Sequence, residues 1–186
     1  MKDFKQKYMK YKTKYLGLKV QKGGCPDGKH GNNTTKQVQN CYPNELVKKR
    51  LDLIRQVDFE GFNKRNYALV RQIYDENIYA RPGDGMEMKG IDAFMKMMTM
   101  GEQSMPDAKI LSHEVEMGSG DYTTVAATMA GTFTGPMLGS DGKIYQPNGK
   151  RFKVKYCVVS KWRDMKVIEE YNYWETTIEK ALGIQK

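Results

Sequence analysis

From residue 45 onward, apolar positions recur first with the period of a helix and then with the period of a strand. Val47, Leu51 and Ile54 fall on one side of a helix that Asn44, following Pro43, is suited to cap. Asn66 opens a second helix carrying Leu69 and Ile73 and ending near Asn77, and residues 91–102 predict a third with Phe94, Met95 and Met98 inward. Between them, Ala80-Arg-Pro-Gly-Asp-Gly85 reads as a turn-rich loop.

After Pro106 the pattern alternates. Residues 110–117 set Leu111, His113, Val115 and Met117 on one face, so His113 shares an apolar side. Gly118-Ser-Gly-Asp121 predicts a hairpin turn into a strand with Val125, Ala127, Met129, Gly131 and Phe133 on one face. Beyond the Gly/Pro-rich stretch 135–149, a third strand puts Phe152, Val154, Tyr156, Val158 and Trp162 opposite Lys153, Lys155 and Lys161. Arg163-Asp-Met-Lys166 turns into a last strand. Its alternation separates Glu169, Tyr171, Tyr173 and Glu175 from Ile168, Glu170, Asn172 and Trp174. Residues 176–183 predict a short closing helix stopped by Gly183. Helices followed by an antiparallel meander predict an α+β domain with the helices on one sheet face.

Charge and composition alter this picture mainly at the N-terminal end. The net charge is +9, but residues 1–24 hold eight Lys and one Asp, giving +7 and leaving +2 for the remainder. Phe4, Tyr8, Tyr11, Tyr15 and Leu18 lie at helical spacing among those lysines, a basic amphipathic leader that could meet nucleic acid or an anionic surface. Residues 25–43 read as a flexible linker, and residues 44–186 as the folded domain. Cys25, Cys41 and Cys157 fit reduced thiols better than a disulfide framework. Cys25, His30 and Cys41 lack the partners of a tetrahedral zinc site, and Met95-Lys-Met-Met-Thr-Met100 reads as core, so no metal is expected. No apolar run is long enough to span a membrane.

Two resemblances add to the reading. Residues 5–24, lysine- and tyrosine-rich and closing on Gln21-Lys-Gly-Gly24, resemble leaders at the N-termini of giant DNA virus proteins. That resemblance implies a viral source, a place in the host cytoplasm, viral factory or virion, and a sorting or processing role for the leader. The second covers nearly everything from about residue 44 to 184. Gln56-Val-Asp-Phe-Glu-Gly-Phe-Asn63, Met105-Pro-Asp107, Gly120-Asp121, Gly131-Thr-Phe-Thr-Gly135, Pro147-Asn-Gly-Lys150 and Lys166-Val-Ile-Glu-Glu170 resemble, in order and spacing, the SnoaL-like polyketide cyclase and ester cyclase family of the NTF2-like superfamily. It implies a cone in which a curved antiparallel sheet wraps helices around a pocket. It also implies a cofactor-free general acid/base at the end of the last strand, a position that Glu175 occupies. Phe133 stands where many members carry His.

The expected site follows. Glu175 is the base, His113 and Tyr156 are donors for a developing enolate, and Tyr171, Trp162, Phe133 and Met129 are the walls. The expected activity is cyclase or isomerase chemistry on a small carbonyl compound. The alternative is a non-catalytic ligand-binding or dimerisation module tethered by its basic leader. Ile168 and Trp174 on the exposed sheet face suggest a homodimer.

Overall fold

The computed structural model describes residues 45–83, 86–139 and 141–184. The leader, the linker, Cys25, His30, Cys41 and the Asn44 cap lie outside the described residues.

Helix α1 (Glu45–Arg55) buries Val47, Leu51 and Ile54, the stripe that the spacing predicts. The chain then continues as a π-helical segment, Gln56–Phe62. Such wide turns are rare and are frequently found at functional sites. Helix α2 (Tyr67–Ile73) is capped by Asn66, whose side chain accepts from the Leu69 N–H. It packs closely on the π-helical segment: a Cβ at Gly61 would come within 3.0 Å of Val70 Cγ2.

α2 does not reach Asn77. The chain passes directly into strand β1 (Tyr74–Arg81), where the Asp75 side chain accepts from the Asn77 N–H at 2.9 Å, a local bond that competes with helical turns. After β2 (Met88–Lys89), helix α3 (Ile91–Ser104) buries Phe94, Met95 and Met98. The remaining strands are β3 (Lys109–Ser119), β4 (Tyr122–Thr132), β5 (Met137–Leu138), β6 (Ile144–Tyr145), β7 (Arg151–Arg163) and β8 (Lys166–Trp174). Helix α4 (Ile178–Leu182) follows, capped by the Thr177 hydroxyl and ended by Gly183 at φ 71°.

The main sheet has the order β2-β1-β8-β7-β4-β3. From β8 to β3 it is antiparallel, but β1 lies parallel to β8, so the curved sheet is mixed where alternation alone suggested a purely antiparallel one. The β4–β7 register is unbroken, and its two alternations read true: Val125, Ala127, Met129, Phe152, Val154 and Tyr156 are all buried.

Two neighbouring strands depart from the expected faces. On β3, Leu111, Val115 and Met117 are exposed and Ile110 and Glu116 are buried. The β3–β4 register shifts twice, between Ile110 and Ser112 and between His113 and Val115. These bulges bring Ile110, His113 and Glu116, three residues apart, opposite the inward Met129, Ala127 and Val125. On β8, Glu170, Asn172 and Trp174 pair with Ser160, Val158 and Tyr156, which places them on the inner face. Trp174 therefore does not lie on the exposed face expected for dimer contact.

At the turn end of the sheet, buried Arg50 of α1 holds two hairpins together. Its guanidinium donates to the carbonyls of Gly120 and Asp164 at 2.9 Å and lies 5.8 Å from the Trp162 ring centre. Trp162 donates to the Thr123 hydroxyl at 2.9 Å. No helix among the described residues is long and apolar enough to cross a membrane.

Candidate functional site

Between the inner sheet face and the helices lies a cavity of about 130 Å3. Its walls are mostly apolar, from Phe62, Phe94, Met97, Met98, Met129 and Val158, and the stacked pair Tyr156 and Trp174, with ring centres 4.8 Å apart, also lines it. Trp174 is fixed by its indole N–H, which donates to the Pro82 carbonyl at 2.7 Å. Five further polar side chains reach this lining or support it: Asp58, His113, Tyr74, Glu170 and Asn172.

The first polar group is a chain of charges. The π-helical segment presents Asp58, whose Oδ2 lies 2.8 Å from His113 Nε2. His113 Nδ1 lies 2.7 Å from Glu116 Oε1, and Arg55 donates from Nε to the same oxygen at 2.8 Å and also ion-pairs with its other oxygen. Both ring nitrogens face carboxylates, which only accept, so the ring is satisfied when both nitrogens carry protons. Burial alone would push His113 down, but the hydrogen bonds and charges of Asp58 and Glu116 outweigh it and hold the imidazolium up to about 9. Burial also pushes Glu116 upward, yet His113 and Arg55 bring it below the usual carboxylate value. For Asp58 burial dominates and the carboxyl is raised, with His113 opposing. Phe59 packs on the His113 ring at 4.8 Å between centres.

The second group is sparser. Glu170 is buried on β8 and accepts a 2.5 Å hydrogen bond from the Tyr74 hydroxyl. Burial pushes its carboxyl up to about 7; the charge of Asp58 adds to this, while Tyr74 and the Asn172 amide oppose it. Tyr74, stacked on Phe94, is itself held well above the usual phenol range by burial, with Glu170 adding to it. The Tyr156 hydroxyl makes no hydrogen bond within the described residues, and burial keeps it protonated well above the usual phenol range. Asn172 Oδ1 is buried without a partner. Among the described residues no group of three or more His, Cys, Asp or Glu side chains is placed to hold a metal ion.

The residues expected from sequence separate into two sets. Tyr156 and Met129 line the cavity, and His113 contacts it through Asp58. Glu175, by contrast, is exposed beyond the end of β8, where its backbone N–H donates to the Lys155 carbonyl. Tyr171 points to the other face and donates to Glu169 at 2.8 Å. Phe133 and Trp162 are fully buried in the core without lining the cavity. The carboxylates at the cavity are Glu170, five residues before Glu175, and Asp58. Both stand in the motifs that carry the family resemblance, Lys166-Val-Ile-Glu-Glu170 and Gln56-Val-Asp-Phe-Glu-Gly-Phe-Asn63, and that placement is the signal the sequence offers for them.

A curved mixed sheet closed over helices around an acid-bearing cavity is the α+β cone of NTF2-like proteins. Within that class the chain belongs to the SnoaL-like polyketide cyclase family, whose model matches residues 53–178. Solved structures agree on the fold. A protein from Jannaschia sp. CCS1 titled as a SnoaL-like polyketide cyclase has TM-score 0.66 and 16% identity, covering 84% of this chain and 100% of its own. One from Xanthomonas campestris pv. campestris titled as a polyketide cyclase has TM-score 0.63 and 14% identity, with coverage of 75% and 98%. AclR of Streptomyces galilaeus, titled as a hydroxylase, has TM-score 0.62 and 18% identity, with coverage of 75% and 99%. No curated protein sequence matches the chain.

Proposed function

We propose that the cavity binds a small carbonyl compound and that Glu170 moves a proton on it, in cofactor-free isomerase or cyclase chemistry. The observation that carries this reading is a buried carboxyl at the cavity wall with its pKa raised to about 7, where one group can both take and return a proton near neutral pH. Ionised Glu170 takes a proton from the carbon beside the substrate carbonyl. The Tyr156 hydroxyl donates a hydrogen bond to the enolate oxygen that forms. Glu170 then returns the proton, either to a different carbon, which gives an isomer, or to the alkoxide formed when the enolate carbon closes on a second carbonyl. No net proton is gained or lost. His113 is already doubly protonated between its carboxylates, so in this scheme it positions Asp58 rather than accepting a proton.

The test is solvent deuterium uptake beside the carbonyl of cyclohexanone, followed by NMR. The protein should accelerate uptake, and Glu170→Gln should remove ~10²–10⁴-fold of that acceleration. Equal rates with both proteins, or no acceleration by the wild type, would count against the reading.

A pairing of two copies through the outer sheet face is also proposed. Leu111, Val115, Met117, Tyr122 and Tyr173 are exposed there, and large apolar residues grouped on one face favour association. The +7 charge of residues 1–24 supports a separate proposal, salt-dependent association with nucleic acid or an anionic surface. Deleting those residues should abolish it.

A further inference from the structure

Among the buried side-chain polar atoms of the described residues, one lacks a hydrogen-bond partner: Asn172 Oδ1. Its position makes that absence informative. Asn172 lines the cavity two residues after Glu170, between it and Trp174 on the inner face of β8, and its cross-strand neighbour is Val158, which cannot donate. The side-chain carbonyl oxygen is thus an unused acceptor on the inner face of the strand. An acceptor removed from water and left unpaired is costly, and the cost is recovered when a ligand supplies the missing donor.

The polar groups of the cavity extend the inference. Tyr156 offers one unused O–H, and Tyr74 has spent its own on Glu170. Against this single donor stand the acceptors Asn172 Oδ1 and the carboxylates of Asp58 and Glu170. A complementary ligand therefore carries more donors than a plain ketone does. Its size is bounded as well, because a cavity of about 130 Å3 is close to the roughly 150 Å3 that accommodates benzene.

We propose that Asn172 is a specificity-determining residue that accepts a hydrogen bond from a ligand hydroxyl, and that the cavity selects a one-ring hydroxy-carbonyl compound over the same compound without the hydroxyl. The carbonyl oxygen meets the Tyr156 O–H, and the hydroxyl meets Asn172 Oδ1. This rests on reading the cavity as a small-molecule site, but not on Glu170 transferring a proton.

The experiment is calorimetric titration of the full-length protein with 4-hydroxycyclohexanone, cyclohexanone and 4-methylcyclohexanone, the last matching the hydroxy compound in size without its donor. The hydroxy compound should bind at least ~10-fold more tightly than the other two, the amount one buried hydrogen bond of this kind contributes. Asn172→Leu should bring the three affinities together by weakening only the hydroxy compound. Equal affinities in the wild type, no binding of the hydroxy compound at millimolar concentration, or a preference that survives in a folded Asn172→Leu would overturn the proposal. The wild-type comparison stands even if that variant does not fold. Glu170→Gln separates the two readings: it should keep the hydroxyl preference while losing deuterium uptake. Loss of uptake with the preference retained leaves this inference standing, and retained uptake with no preference removes it alone.

Discussion

Two carboxylate clusters share one cavity, and they differ in how fully their hydrogen bonds are satisfied. Around His113, every strong group has an opposite charge within hydrogen-bond reach: Asp58 and Glu116 flank the imidazolium, and Arg55 closes the chain on Glu116. Around Glu170 no cation among the described residues is in contact, Tyr74 supplies a single neutral hydrogen bond, and Asn172 keeps an oxygen unpaired. A closed network of charges fixes geometry because each member's ionisation is held by its neighbours. A buried acid with one neutral partner keeps two protonation states close in energy, which is what proton transfer requires. The difference supports the proposed division of roles, positioning for the first cluster and proton transfer for the second.

Removing the centre of the closed cluster should have the largest effect. His113→Ala leaves Asp58 and Glu116 buried without the cation between them, so stability should fall by about 3–5 kcal/mol, measurable by urea denaturation near neutral pH. The deficit depends on pH in a defined direction. His113 is raised from 6.5 to about 9 in the folded protein, so its stabilisation is complete below pH 6.5 and is lost as pH rises through 9. The gap between wild type and variant should narrow over that window.

The open cluster should respond with the opposite sign. Glu170 is raised from 4.5 to about 7, so the folded protein holds its proton longer than the unfolded chain, and wild-type stability falls as pH rises from 4.5 through 7. Glu170→Gln keeps the neutral form and should be more stable than wild type by on the order of 3 kcal/mol at pH 8, with no difference at pH 4. A variant that is less stable at pH 8 would contradict the description of Glu170 as a strained acid.

Away from the cavity the effects should shrink. Arg50→Met breaks the bonds that join the two hairpin turns and should cost roughly 2 kcal/mol, seen as a lower melting temperature. Smallest of all should be Val115→Lys on the outer face, within ~0.5 kcal/mol for the isolated chain. Its value is in light scattering, where the proposed dimer should become a monomer; an unchanged mass would remove the outer face as the pairing surface.

The parts of the molecule legible in the sequence are those where polarity and burial agree. α1, α3, β4 and β7 bury the apolar residues their periods point to, because nothing along them interrupts the period; the one charge α1 buries, Arg50, lies beside that stripe and is held by hairpin carbonyls. β8 was misread for the opposite reason. Both of its faces mix acids with aromatic residues, so alternation alone does not tell which is inner, and the resemblance that puts an acid at position 175 points to the wrong face; the inner one holds Glu170 and Asn172. β3 resisted because its two bulges turn a period of two into a spacing of three, which joins His113 to Glu116 instead of to Val115. The first half of β1 reads as the end of a helix because Leu69, Ile73 and Asn77 keep helical spacing, whereas the chain turns to strand at Tyr74. Asp58 was hidden by the π-helical segment, whose wider turn changes which residues share a face. At the cavity itself, Tyr156 and Met129 are legible from the apolar faces of β7 and β4, whereas His113 turns inward through the bulges of β3 and not with the apolar face expected for it. The acids are not legible, because buried carboxyls run against the polarity pattern by which a sequence is read.

The distinction between the clusters comes down to the proton on Glu170. Infrared difference spectroscopy of protein labelled with 13C at the glutamate carboxyl, referenced to Glu170→Gln, follows that proton directly across pH. The protonated carboxyl band that the substitution removes should disappear with a midpoint near 7. A midpoint near the ordinary 4.5 would show Glu170 to be an unremarkable acid and would contradict the account.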